Sequence, residues 1–229
     1  MRGCLIFVLY FSLVCRAQTQ PYFEGEVFYN FRFQDSLHST NTRNVMKLIQ
    51  PESFKMFVKD GNLKLVNYLD QDWQENEPRS VIWRKSKMYQ IDDINKTILF
   101  SKEINDRRAY SLVLSNLPSR EILGYICDLY LETTMDGTSS FWIARELKTE
   151  ATENRGLAIG DFGIVLESKI VMQDFVFSYK ACKVVPRKVQ ENVFRLPFSY
   201  ESVQVSLPKS SVVDLIRSNT PQSLQKEYK

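Results

Sequence analysis

From Phe23 onward the chain alternates, with Phe23, Gly25, Val27, Tyr29, Phe31 and Phe33 on one side and Glu24, Glu26, Asn30 and Arg32 on the other. A period of two does not build a helix face and commits the segment to a half-buried β-strand. Phe28 interrupts the polar side, which implies that this side is partly covered as well. Phe54 to Lys59 and Asn62 to Tyr68 flank Asp60-Gly61. A two-residue Asp-Gly link between strand-like runs is the strongest local signal for a hairpin. The segment Asn44 to Gln50 is expected to pair ahead of that hairpin. Further strands are expected at Ser80 to Arg84, Lys87 to Asp92 and Thr97 to Ser101, with turns at Lys85-Ser86 and Asp93 to Lys96. The later half repeats the pattern at Tyr110 to Leu114, Tyr125 to Thr133, Ser139 to Ala144, Ile164 to Met172 and Asp174 to Val185, with Asp136-Gly137 as a second hairpin signal. Short strands joined by polar turns describe an antiparallel meander.

Helix is scarce. Arg145 to Glu153 suits a short turn, and Lys209 to Arg217, opened by Pro208, suits one short helix. Asp70 to Arg79 reads as a solvated loop and Thr220 to Lys229 as a polar tail. The expected fold is therefore mainly β, a single antiparallel curved sheet with one or two short helices.

Residues 1–17 read as a secretory signal, with Arg2 as the positive region and Leu5 to Val14 as an apolar stretch of about ten residues. That stretch is too short for a bilayer, which takes roughly 20 residues. Cys15 and Ala17 place small side chains where a signal peptidase reads, so cleavage after Ala17 leaves Gln18 as the mature terminus. The competing reading lipidates Cys15, but Ser12-Leu13-Val14 lacks the small residues that such a site wants just ahead of its cysteine. On both readings the chain is expected to be exported, to the periplasm or the extracellular space, and no later run reaches spanning length. The remaining 229 − 17 = 212 residues, 18–229, fit one domain with a full core. Removing Arg2 and Arg16 from 30 Lys and Arg leaves 28 against 27 Asp and Glu. A balance this close gives no overall electrostatic footprint for nucleic acid or an anionic membrane.

The sequence carries none of the familiar catalytic constellations. His38 is the single histidine and lies in the polar stretch Asp35 to Thr42, which leaves no histidine set for a metal. No GxSxG, phosphate-binding or HExxH motif occurs, and no cofactor or metal is implied. Asp92, Asp93 and Glu121 read as solvated strand-end carboxylates rather than an acid pair. After removal of the signal two cysteines remain, Cys127 and Cys182; export permits a bridge between them, and two buried free thiols are the competing state. Asn95-Lys96-Thr97 matches a glycosylation acceptor, and Asp35-Ser36-Leu37 a short O-glycosylation signal, each short enough to arise by chance.

What stands out is aromatic and flexible apolar content, including Tyr22, Phe54, Phe57, Met88, Tyr89, Phe141, Phe175 and Phe177. Each can fill a core. A single curved sheet with little helix to cover it must either close up or leave a groove, and an apolar groove suits an acyl chain. Val27, Tyr29, Phe31, Met56, Trp83 and Trp142 are the candidates for that face; a slip of one residue in register would turn any of them outward.

Arg120 to Tyr130, containing Gly124-Tyr125-Ile126-Cys127, followed by Phe141 to Leu147 with Trp142, resembles a pattern in uncharacterised exported proteins, chiefly of Bacteroidetes. Gly160-Asp161-Phe162-Gly163-Ile164-Val165-Leu166 is similar to the GLPGLI signature of one such family, and Phe23 to Val27 and Val193 to Tyr200 also fit. The resemblance implies the fold of the LolA and LolB lipoprotein carriers, an unclosed half-barrel with an apolar concave face. It implies structural roles for the matched residues: Gly124 bending the chain into a strand, Tyr125 and Trp142 packing on adjacent strands, Cys127 in the motif strand, and Gly163 allowing a tight turn or bulge. The functional expectation is an envelope protein that is not an enzyme and binds a lipid, an acyl chain or a lipoprotein anchor. A structural or protein-interaction component without a pocket is the alternative.

Overall fold

The computed structural model describes residues 22–34, 53–68, 79–84, 87–101, 112–150, 157–172 and 175–205. The expected strand at Asn44 to Gln50, the loop at Asp70 to Pro78, His38, the signal segment and the helix at Lys209 to Arg217 lie outside them. Among the described residues the chain forms β1 (Gly25–Gln34), β2 (Ser53–Lys59), β3 (Asn62–Tyr68), β4 (Arg79–Arg84), β5 (Lys87–Asp92), β6 (Thr97–Ser101) and β7 (Val113–Leu114). The second half forms β8 (Arg120–Ile122), β9 (Tyr125–Thr134), β10 (Gly137–Ala144), β11 (Ala158–Ile159), β12 (Gly163–Met172), β13 (Phe175–Pro186) and β14 (Glu201–Gln204). Two single-turn 3-10 helices, Gly160–Phe162 and Glu191–Phe194, are the only helical residues among those described.

One sheet holds all of these strands, in the order β14-β6-β5-β4-β3-β2-β1-β13-β12-β10-β9-β7, with β11 on β12 and β8 on β9. The two ends of this order do not pair, so the sheet is unclosed. Local chemistry fixes its hairpins. Asp60 and Gly61 both have positive φ, 46° and 71°, the twist that a two-residue link between right-twisted strands requires. Leu123 and Gly124 do the same between β8 and β9, at 55° and 84°. Between β5 and β6 the Asp92 carboxylate accepts the backbone N–H groups of Ile94 and Asn95, both at 3.0 Å. Gly163, at φ 120°, has no room for a side chain, because a Cβ there would lie 2.2 Å from the Ala144 carbonyl oxygen.

The sheet departs from the expected antiparallel meander where β1 pairs with the distant β13 instead of a consecutive strand, and where β14 runs parallel to β6. After β13 the chain crosses the outer face of the sheet before joining the far edge, and a strand reached by such a crossover arrives parallel. Val189 N–H donates to Glu24 Oε1 at 2.7 Å and Lys59 Nζ donates to the Val189 carbonyl at 2.9 Å. Arg84 then donates to the Phe194 carbonyl, and Lys96 Nζ donates to the Tyr200 hydroxyl at 3.1 Å. These bonds tie the crossing segment down along its length.

Two apolar clusters result. The smaller lies under the crossing segment, where Val189 and Phe194 cover Phe57, Ile82 and Ile91. The larger lies on the opposite, inner face and joins the two halves of the sheet, from Val27, Tyr29, Met56 and Val58 to Phe141, Ile143, Ile164 and Val165. Leu147, Leu157, Ala158 and Ile159 belong to it too. Phe23 N–H donates to the Lys148 carbonyl at 2.6 Å, and Gly61 lies against Glu150. The chain after β10 therefore meets the Asp60-Gly61 hairpin and closes one end of the inner face.

Candidate functional site

Strand pairing decides which side chains share a face, because residues directly opposite one another in an antiparallel ladder point the same way. Val27 faces Met56, which faces Leu65, which faces Val81, then Gln90 and Leu99. Tyr29 faces Phe54, and Leu63 faces Trp83. Phe31 faces Tyr179, which faces Ser168, which faces Phe141. Val27, Tyr29, Phe31, Met56 and Trp83 thus lie on one continuous inner face.

Trp142 does not align with them. It stands opposite Leu129 and Glu167, on the outward side, next to the irregularity between Trp142 and Ile143. The Arg120 guanidinium lies 4.0 Å from the centre of its ring and 2.6 Å from Glu167 Oε1, so Trp142 serves as a platform for an ion pair while touching the edge of the larger cluster. Its neighbour Phe141 faces Ser168 and takes the inner side, so alternation along β10 turns Trp142 outward.

Burial divides the inner face into two zones. Val27, Tyr29, Met56 and Val58 are fully enclosed. Phe31, Leu65, Val81, Trp83, Leu99 and Ile170 are only half-buried, although apolar and on the same face. The aromatic rings of the enclosed zone pack in offset and edge-on contacts, Tyr29 on Phe54 at 4.6 Å and Tyr29 against Tyr179 at 5.5 Å. Tyr29 Oη donates to the Val165 carbonyl at 3.0 Å, tying β1 to β12 across β13. Burial first, and the neighbouring Tyr179 second, push its hydroxyl well above the usual tyrosine range. Ser168 Oγ, also enclosed, has no hydrogen-bond partner among the described residues.

The carboxylates weighed as an acid pair do not converge. Asp92 caps the β5–β6 turn, Asp93 accepts the Tyr200 hydroxyl, and Glu121 is exposed on β8 at the other side of the sheet. Among the described residues there is no cluster of three or more metal-ligating side chains. No described helix is long and apolar enough to cross a membrane.

The bridge weighed between Cys127 and Cys182 is not formed; both are free thiols. Cys127 is on β9 and Cys182 on β13, with β10 and β12 between them. At about 4.8 Å per strand spacing this is roughly 14 Å, twice the reach of a disulfide. Cys127 is buried, and its Sγ donates to the Tyr125 carbonyl at 3.5 Å. Cys182 is exposed at the irregularity in the β1–β13 ladder, with its Sγ 3.4 Å from the Phe28 carbonyl.

Of the residues carried by the family resemblance, Gly124 occupies the positive-φ turn into β9 and Gly163 opens β12. Tyr125 and Trp142 lie on the adjacent strands β9 and β10, both half-buried against the larger cluster. The half-buried strip at Val81 and Leu99 was missed on the sequence. Its only signal was their alternation with Ile82 and Ile98, which reads equally well in either direction.

No known family pattern matches the chain, and no curated protein matches it. Solved structures do. PNGF-II, in two crystal forms, superposes with a TM-score of 0.52 at 14% and 13% identity, over 85% and 86% of this chain and 32% and 34% of that one. The chain thus spans about a third of PNGF-II, and the likeness is one of fold. An uncharacterized conserved protein from Thermus thermophilus gives a TM-score of 0.47 at 8% identity, covering 80% of this chain and 91% of its own. The LolA superfamily protein NE2245 from Nitrosomonas europaea gives 0.34 at 11% identity, covering 77% and 91%.

Proposed function

We propose that the chain is an exported cell-envelope binding protein that holds a lipid, an acyl chain or a lipoprotein anchor against the inner face of its sheet, without catalysis. The observation that carries this reading is the strip of Leu65, Val81, Trp83 and Leu99 across β3 to β6, apolar side chains left half-buried on the inner face, with Phe31 and Ile170 half-buried on the other side of the packed centre. Side chains of this kind on a concave sheet face gain about 25 cal/mol per Å² when an apolar ligand covers them. A strip several residues long matches an extended chain better than a compact polar solute. Export is supported by the signal-like residues 1–17.

The enclosed centre of the same face favours a second reading. Val27, Tyr29, Met56 and Val58 leave no space at that position, as expected of an envelope interaction component with a solid interior. Native mass spectrometry of the full chain purified from an envelope fraction, followed by organic extraction, separates the two. A co-purifying lipid or acylated peptide, reduced by Leu99→Lys, is the expected result. A single ligand-free mass, unchanged after incubation with phospholipid, overturns the carrier reading.

A further inference from the structure

The near-neutral charge of the chain conceals an uneven distribution that the strand register produces. On the outward side of β1, β2, β13 and β12, Lys55 and Lys183 flank Phe28 in one row. Lys180 faces Asn30 and Glu167 in the next row, and Arg32 and Lys169 flank Ser178 in the one beyond. Arg32, Lys169, Lys180 and Lys183 are exposed, and Lys55 is half-buried. The acids on this face among the described residues are neutralised in place. Glu167 is shared between Arg120 at 2.6 Å and Lys180 at 3.3 Å, and Glu26, 4% exposed, is paired with Arg187. The crossing segment that covers Phe57, Ile82 and Ile91 leaves this part of the face uncovered.

We propose that this basic face docks on the surface of an anionic lipid bilayer. The kind of cation argues for such a surface. Lysines are hydrated point charges with no fixed fork, and here they are spread over a sheet without a pocket, which suits a plane of diffuse negative charge better than one carboxylate or phosphate. Lysine is depleted where proteins bury one another, which counts against a protein partner, and the shared positive sign counts against a second copy of the chain. Single-stranded nucleic acid needs open aromatic rings on which to stack. The Phe28 ring, with the Lys55 and Lys183 ammonium groups 5.2 and 5.5 Å from its centre, is already occupied. The inference does not depend on what the inner face holds, since the two faces lie on opposite sides of one sheet.

The test is sedimentation of the full chain with vesicles of phosphatidylcholine alone and with vesicles containing phosphatidylglycerol, at low and high salt. The apolar Leu5 to Val14 segment contributes to both kinds of vesicle, so the readout is the ratio of binding between them. The expected ratio strongly favours the anionic vesicles, falls towards one in high salt, and drops by roughly a hundredfold in Arg32→Gln/Lys169→Gln/Lys183→Gln, at about fivefold per cation removed. Circular dichroism confirms that the triple variant is folded; if it is not, Lys183→Gln alone is expected to lower the ratio about fivefold. Equal binding to both vesicles, or a ratio that the folded variant leaves unchanged, overturns the proposal. Salt-sensitive binding to heparin with no preference between vesicles also overturns it, and assigns the face to a soluble polyanion.

Discussion

Cys127 and Cys182 carry the same functional group in opposite settings, and their chemistry follows the setting. Burial, the largest cause, pushes the Cys127 thiol up to about 11, and it outweighs the nearby Arg120. An unfolded cysteine ionises near 9, so folding is not penalised below that pH. Between about 9 and about 11 the unfolded chain sheds a proton that the folded chain keeps, and stability falls as pH rises. Tyr29, raised well above its ordinary value, adds to the same alkaline loss. Cys127→Ala is expected to remove its share of the decline, measured as thermal midpoint against pH. With a thiol reagent under native conditions, Cys182 is expected to react first and Cys127 only after unfolding. Equal rates would show that Cys127 is not enclosed.

The crossing segment, residues 187–200, is the element whose importance alternation does not reveal. Its sequence has no period of two, and it carries a single 3-10 turn, Glu191–Phe194. It nevertheless supplies Val189 and Phe194 to the smaller cluster and sets the direction of β14. Phe194 is 3% exposed, and its removal leaves a cavity over Phe57 and Ile82. Phe194→Ala is expected to cost about 3 kcal/mol or more, read from the denaturation midpoint. Val193→Ala, at a half-buried neighbour, is expected to cost less than half as much. If the two cost the same, the segment does not cover the sheet as described. The β2–β3 hairpin is the contrasting case, since Asp60-Gly61 and its flanking alternation specify it locally and the observed register agrees.

At the scale of the molecule, stability is expected to be graded along the strand order. β1 and β13 lie near its middle, between neighbours on both sides, while β7 and β14 end it with exposed side chains. Amide hydrogen exchange should be slowest in β1 and β13 and fastest in β14 and β7, since edge strands open without unfolding the rest. Uniform protection to the edges would contradict this. Much of the architecture was legible beforehand: the strands from Ser80 to Ser101, the hairpins and the mainly β class all follow from alternation and turn chemistry. Of the candidate ligand face, Val27, Tyr29, Phe31, Met56 and Trp83 fall together because alternation carries across an unbroken ladder. Trp142 falls elsewhere because its neighbour Phe141 takes the inner face through Ser168, and the local pattern does not record which of the two adjacent rings points inward.

By itself the sequence determined the period of each strand, the positions of its turns and the scarcity of helix, because these depend on residues within a few places of one another. Only the tertiary structure decided the crossing of residues 187–200, the parallel edge strand, the wide separation of the two thiols and the gathering of lysines on one outward face. Each of these depends on which distant strands become neighbours, and the free energy that selects those neighbours comes from burial shared among many residues, with no local pattern to record it.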